Sequence, residues 1–220
     1  MKNIAMTRVS NALAQKQIDE KIRRVRAERY ACQSVAKLAL PKERVSICLR
    51  RPVSSEVEIW KHKQTKKAFY SGLMVCGSVW ICPVCAAKIS ERRKTELELA
   101  FEQHKKNNGQ IALLTLTFAH KKSDKLKDTL KKFSAATQKM MTGRAFHDIR
   151  LQMDMLGRIR VFEVTYGANG FHPHVHIALL YKNADVDLEQ IKSKMYDLWS
   201  KACIKNGLTS NKKYGLDLQS

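Results

Sequence analysis

Three histidines occupy alternate positions in the apolar segment GFHPHVHIAL: His172, His174 and His176. Successive side chains of a strand point to opposite faces, so the three imidazoles share one face, with Pro173, Val175 and Ile177 on the other. Histidines two apart on a strand have Cα atoms about 6.6 Å apart, near enough for their rings to converge on one cation. Neutral imidazole is a good ligand for divalent metals, and a nearby carboxylate would add charge balance and a third donor. A solvated sheet face would show the same alternation, so the histidines alone do not decide the matter. A second group is Cys82-Pro83-Val84-Cys85, with Cys76 six residues before it and Cys48 earlier, in VSICLRR. The C-x-x-C spacing lets two thiolates grip one zinc ion, and four thiolates would make a closed structural site. The competing reading is four reduced thiols in a small core. Cys32 and Cys203 stand alone in helical patterns and read as core residues.

The elements that position these groups follow from periodicity. GRIRVFEVTYGANGFHPHVHIALLY, residues 157–181, consists of two alternating runs about a Gly-Ala-Asn-Gly turn and predicts a β-hairpin. A turn centred there places Glu163 opposite His174 and Thr165 opposite His172. Phe162, Val164, Tyr166, Val175, Ile177 and Leu179 take the core side. Directly opposed Cβ atoms lie about 4.5–5.5 Å apart, within reach of one shared ion. Three of the seven histidines within five residues, facing a glutamate, favour a metal site over a merely solvated face.

Residues 10–39 read as helical, with Leu13, Ile18, Ile22 and Val25 as a loose apolar stripe among arginines: a basic arm or an amphipathic surface helix. Residues 44–85 break into short β-like pieces that carry four cysteines, and a helix from Ala86 to about Lys106 stops at Asn107-Asn108-Gly109. IALLTLTF (111–118) predicts a strand with Leu114, Leu116 and Phe118 inward and Thr115 and Thr117 outward. Ser123 is the expected N-cap of a basic helix to about Met141, and a further helical piece spans Ala145–Met155. Asp187 opens a last helix to about Asn206, burying Leu188, Ile191, Met195, Leu198 and Ala202, with Gly207 at its C-terminal stop. YGLDLQS begins another strand.

Charge narrows the function. Among 220 residues, 41 are basic and 20 acidic, a formal net charge of +21, and the first 67 residues hold 17 of the basic side chains. Such an excess predicts a polyanionic partner, because each neutralised phosphate releases a condensed counterion. The longest apolar stretch, 111–119, is far short of the roughly 20 residues a membrane-spanning helix needs. The first 20 residues lack a signal peptide's apolar run, so a cytoplasmic protein with no membrane partner is expected. In that compartment six cysteines favour metal ligation or buried thiols over disulfides.

FHPHVHIAL, preceded by FEVTYGANG and further back by LLTLTFAH, resembles the plasmid rolling-circle replication initiators, which are HUH endonucleases. That family is named for two histidines flanking a bulky apolar residue, here His174, Val175 and His176. CGSVWICPVCAAKISERR (76–93) resembles the segment ahead of the nuclease core in one branch of these initiators, so the resemblance covers roughly residues 44–219. It implies origin DNA as partner, single-stranded or as a hairpin, together with host replication machinery. It also implies Mg²⁺ or Mn²⁺ on His174 and His176 with an acidic or polar third ligand. Glu163 is that ligand by the hairpin register, and His172 is an accessory that orients a ligand or touches phosphate. The implied reaction is attack of a tyrosine on the scissile phosphodiester, leaving a 5′-phosphotyrosyl enzyme and a free 3′-OH. The family's tyrosine lies on a helix after the strand begun by YGLDLQS, which places it past residue 220; Tyr214 and Tyr196 are weak substitutes.

The expectation is therefore an α+β protein with an antiparallel sheet and helices on one face. It comprises a basic helical arm (1–43), a zinc-ribbon-like module with its helix (44–109) and a nuclease core (110–220). Cys48, Cys76, Cys82 and Cys85 would hold Zn²⁺. Expected functions are origin nicking and rejoining, a truncated module that binds DNA without catalysis, or a zinc hydrolase using His172, His174 and His176.

Overall fold

The Gly-Ala-Asn-Gly turn forms where expected. In the computed structural model, which describes residues 2–64 and 68–220 (backbone only for residues 2–13), Gly167 pairs with Gly170 across it. Gly170 has φ +88°, a conformation that favours glycine, and an added Cβ would lie 3.0 Å from the Lys122 Cα. The hairpin register then puts Glu163 opposite His174 and Thr165 opposite His172.

The described elements, in chain order, are α1 (Lys2–Ala39), a 3₁₀ turn (Arg44–Ile47), β1 (Ile59–Lys61), β2 (Ala68–Tyr70), α2 (Pro83–Lys106), β3 (Gln110–Leu116), α3 (Leu126–Thr142), α4 (Arg144–Gln152), β4 (Met155–Gly167), β5 (Gly170–Tyr181), α5 (Leu188–Lys205) and β6 (Leu216–Gln219). This is an α+β protein with antiparallel sheets. The chain divides into two compact units, Met1–Leu97 and Glu98–Ser220.

In the second unit the sheet order is β4-β5-β3-β6, so β3, remote in sequence from the hairpin, lies between β5 and β6. Period-2 alternation separates its two faces. Ala112, Leu114, Leu116, Val175, Ile177, Leu179, Leu216 and Leu218 are buried with Phe133, Ala136, Met140, Phe146, Ile149, Ile191, Met195 and Trp199 from the three helices. Each large aliphatic side chain so buried contributes roughly 1.5–3 kcal/mol. Phe133 packs 5.4 Å from the Phe162 ring and 5.6 Å from that of Trp199. The Trp199 indole donates to the Thr117 carbonyl at 2.9 Å, which fixes the chain where it leaves β3. The opposite face of the sheet carries the histidines.

The first unit has a smaller core of Val45, Cys48, Cys76, Cys82, Val84 and Cys85. The β-like pieces expected at 44–85 amount to the single ribbon β1–β2 and the isolated bridge Pro52–Leu73. Cys48, Cys76 and Cys82 sit in turns and loops, and Cys85 in the first turn of α2. α2 starts at Pro83 rather than Ala86 because proline suits the first helical position and Cys82 caps the end, its Sγ accepting the Cys85 N–H at 3.5 Å. The Asn-Asn-Gly stop holds: Asn108 has φ +59°, and a Cβ on Gly109 would collide with the His104 ring.

Other expectations need correction. α3 begins at Leu126 with Lys125 as N-cap, while Ser123 lies in a turn closed by Asp124, whose carboxylate accepts the Lys121 N–H at 2.8 Å. α4 ends at Gln152, and Met155 already belongs to β4. Tyr166 is exposed, because the hairpin tip runs beyond the buried core; its ring meets Phe171 edge-on at 4.9 Å. Cys32 is exposed, and Cys203 is buried as expected. Ile18 and Ile22 are exposed and Val25 half-buried, while the side chain of Leu13 lies outside the described residues. The residues α1 buries are instead polar, Gln33 and Lys37.

Candidate functional site

The open face of the four-stranded sheet is built around one carboxylate oxygen. Glu163 Oε2 lies 2.9 Å from His174 Nε2 and 3.5 Å from His176 Nε2. The ligand atoms of all three residues fall within 4.8 Å of one another, an arrangement that could hold a metal ion. The far side of each ring is also held. His174 Nδ1 lies 3.3 Å from the His172 carbonyl, so both ring nitrogens face acceptors, that carbonyl on one side and the Glu163 carboxylate on the other. His176 Nδ1 lies 3.0 Å from Thr115 Oγ1. Such outer contacts fix ring orientation in metal sites. Glu163 is 52% exposed, so a ligand reaching the site from solvent meets no protein wall on that side.

His172 is not part of this trio. Its Nε2 lies 3.2 Å from Thr117 Oγ1, and its Nδ1 3.2 Å from His120 Nδ1. Burial, then the neighbouring His120 and His174, hold its pKa below the usual imidazole value. Thr115 of β3 and Thr117 just past it were expected to face outward, but not to contact His176 and His172. His120 and Asp217 were missed altogether. Asp217 is paired with Thr115 across β3–β6, in the row that leads to His176. Lys192 donates to its carboxylate at 2.8 Å, which draws the Asp217 pKa down and the Lys192 pKa up. His120 closes the LLTLTFAH segment that carries the family resemblance, whereas only the sheet order brings Asp217 to this row.

The first unit brings Cys48, Cys76, Cys82 and Cys85 together, all buried. Sulfur separations are 3.6 Å for Cys48–Cys85 and Cys76–Cys85 and 3.9 Å for Cys48–Cys82. Four thiolates at 2.3 Å from a tetrahedral ion would stand roughly 3.8 Å apart, so the group fits zinc dimensions. Donors surround it: Cys76 N–H reaches Cys48 Sγ at 3.4 Å, and the Gln33 amide reaches Cys82 Sγ at 3.2 Å. Burial disfavours the Cys82 thiolate, but the Cys85 N–H, Gln33 and neighbouring thiols outweigh it and bring the thiol down to about 7. Burial pushes the Cys48 and Cys85 thiols up. Lys37, also buried at the end of α1, has its pKa lowered by burial and by Arg50, while Cys48, Cys82 and Cys76 pull the other way.

Residues 71–203, which contain three of these cysteines and the Glu163–His174–His176 group, match the model of a family described as "Replication protein". The chain belongs to that family. It is 33% identical over 136 residues to "Protein rep" of Streptomyces lividans, half of this chain and 30% of that protein. It is 31% identical over 134 residues to "Neomycin resistance protein" of Streptomyces cyanogenus, half of this chain and 31% of that protein. The match thus spans about a third of each relative's length. No solved structure gives a significant match. No described helix is long and apolar enough to cross a membrane.

The candidate tyrosines of this replication protein have separate surroundings. Tyr196 is half-buried, its hydroxyl donating to the Ser210 carbonyl at 3.4 Å. Tyr214 is exposed, with Lys213 Nζ 5.1 Å from its ring centre.

Proposed function

We propose that the protein is a plasmid replication initiator that binds origin DNA, single-stranded or as a hairpin, and nicks and rejoins one strand by transesterification. The observation that carries this is the convergence of His174 and His176 on Glu163, on the open face of a sheet, in a chain of the replication-protein family. Mg²⁺ or Mn²⁺ suits two imidazoles and a carboxylate with open positions, and when bound it supplies Lewis-acid polarisation of a phosphodiester oxygen. The chain's own part is orientation: Thr115 and the His172 carbonyl hold the two rings, and Glu163 supplies the negative charge. In the reaction a tyrosine oxygen forms a bond to phosphorus, the P–O3′ bond breaks, and the 3′ oxygen leaves with a proton. Rejoining reverses these steps. The cysteine group would hold structural Zn²⁺, because it is closed, all-sulfur and of tetrahedral dimensions. The zinc-hydrolase reading is weaker, since His172 is engaged by Thr117 and His120 instead of joining the other two histidines.

The test is denaturing electrophoresis of labelled origin oligonucleotide incubated with protein and Mn²⁺. A covalent protein–DNA band, lost in His174→Ala, is expected of the tyrosine route, and Tyr214→Phe and Tyr196→Phe show whether either supplies the oxygen. Cleavage without an adduct would assign the attack to water. An oligonucleotide left neither bound nor cut would overturn the proposal.

A further inference from the structure

The ribbon β1–β2 has no core beneath it. All six of its strand residues are exposed, including Trp60 at 53%, Phe69 at 50% and Tyr70 at 61%. A two-stranded ribbon is marginal in water by itself, and exposed aromatic side chains on one are unusual unless they meet a partner. This ribbon is rooted. Backbone bonds from Val53 to Gly72 (2.8 Å), Met74 to Arg51 (2.9 Å) and Leu49 to Met74 (2.7 Å) carry it down to Cys48 and Cys76.

Register places Trp60 opposite Phe69, so their rings share one face of the ribbon. The Trp60 indole N–H has both Glu58 Oε2 at 2.9 Å and Ser71 Oγ at 3.0 Å as acceptors. Its single donor is therefore used internally, and the nearest carboxylate is occupied. What Trp60 offers a partner is a ring face held in place. Exposed Lys61 follows Trp60 on the ribbon's other face, and exposed Lys63 lies just past the strand end.

We infer that this ribbon is a docking surface for single-stranded DNA, with bases stacking on Trp60 and Phe69 and lysines meeting the phosphates. The inference rests on the DNA-binding function proposed above. Flat π surfaces, a satisfied indole and exposed cations match a strand of unpaired bases: stacking is tolerant of sequence, and phosphate contacts supply the remaining affinity. A protein partner would leave the lysines without a purpose, and it is an outcome of the test.

The experiment is fluorescence anisotropy of a labelled oligothymidylate titrated with the full chain at several salt concentrations. Trp60→Ser with Phe69→Ser should weaken binding about tenfold or more with the salt slope unchanged, because no phosphate contact is lost. Trp60→Phe should keep most of the affinity. Lys61→Gln with Lys63→Gln should flatten the slope by roughly 0.7 per phosphate contact removed. A second readout keeps the wild-type ribbon intact. In Trp80→Phe the tryptophans are Trp60 and the buried Trp199, and oligothymidylate should quench the Trp60 emission. Equal affinity of the aromatic variant and wild type, or no quenching on binding, overturns this inference and leaves the initiator reading standing. A wild-type chain with no affinity for any DNA overturns both.

Discussion

The four cysteine sulfurs are buried among Val45, Val84 and one another, with backbone N–H groups and Gln33 directed at them. Glu163, His174 and His176 stand on the uncovered face of a sheet, with protein behind the rings and solvent in front. An ion in the first group would have all its positions taken by sulfur; one in the second would keep positions free. Closed sulfur sites carry folding energy, and open nitrogen–oxygen sites carry chemistry. On the proposed reading the chain separates what holds a unit together from what reacts, and each role predicts a different response to mutation.

The largest effect is expected at the closed site. Cys82→Ser with Cys85→Ser should abolish zinc binding, whose apparent free energy in small structural sites is about 10–16 kcal/mol. The unit Met1–Leu97 should lose its cooperative unfolding transition, with zinc content measured by atomic absorption and structure by circular dichroism. A reduced, zinc-free protein that unfolds like the wild type would break the comparison on this side.

Next comes the open site. His174→Ala with His176→Ala should remove Mn²⁺ binding in calorimetry and lower nicking at least about a hundredfold, because the charge stabilisation at the scissile phosphate is lost. Melting should shift by only a few degrees, since neither ring is part of the hydrophobic core. Unchanged Mn²⁺ affinity, or collapse of the fold, would each show that the two centres do not divide the work as described.

How much of this could be read beforehand follows chain proximity. Glu163 faces His174 because a two-residue turn joins their strands, so the register was arithmetic along one short segment. Thr115 and Asp217 reach the same row only because β3 inserts between β5 and β6, and nothing local encodes that order. The C-x-x-C spacing was legible for the same reason as the hairpin, whereas Gln33 approaches Cys82 from 49 residues away. Tyr166 was misplaced because alternation gives the side of a strand but not how far along it the core extends. Cys32 was misjudged because a helical pattern with few apolar residues does not say which face is covered.

Gln33 offers a smaller, sharper probe of the closed site. Gln33→Leu keeps bulk but removes the amide donor to Cys82, and losing one outer contact should weaken zinc about tenfold in chelator competition. In the metal-free protein the effect carries a pH signature. The Cys82 thiol, held at about 7 against an ordinary value of 9.0, contributes stability that is present above the ordinary value and lost as pH falls through about 7. Removing Gln33 should move that loss to higher pH, read as the midpoint of thiolate alkylation. An unchanged midpoint and zinc affinity would make Gln33 a packing residue only.

The smallest effect should come from the pair that ties β6 to α5 beside the open site. Lys192 and Asp217 meet at 2.8 Å, but they are 32% and 45% exposed, and water screens such pairs to about 0–1 kcal/mol. Asp217→Asn should therefore cost under about 1 kcal/mol in urea denaturation. The sign of its pH dependence follows from both partners. The Asp217 pKa is depressed, so its contribution is present above the ordinary 3.8 and fades as pH falls through the lower folded value. The Lys192 pKa is raised, so its contribution is present below 10.5 and fades as pH rises through the higher folded value. Between those limits the pair is constant, and the difference between wild type and Asp217→Asn should be flat from about pH 5 to 9 and shrink below about pH 4. A difference that instead varies between about pH 5 and 8 would track imidazole titration. That outcome would mean the edge strand is coupled through Thr115 to His176, and that the open site is less independent of the packing around it than its exposure implies.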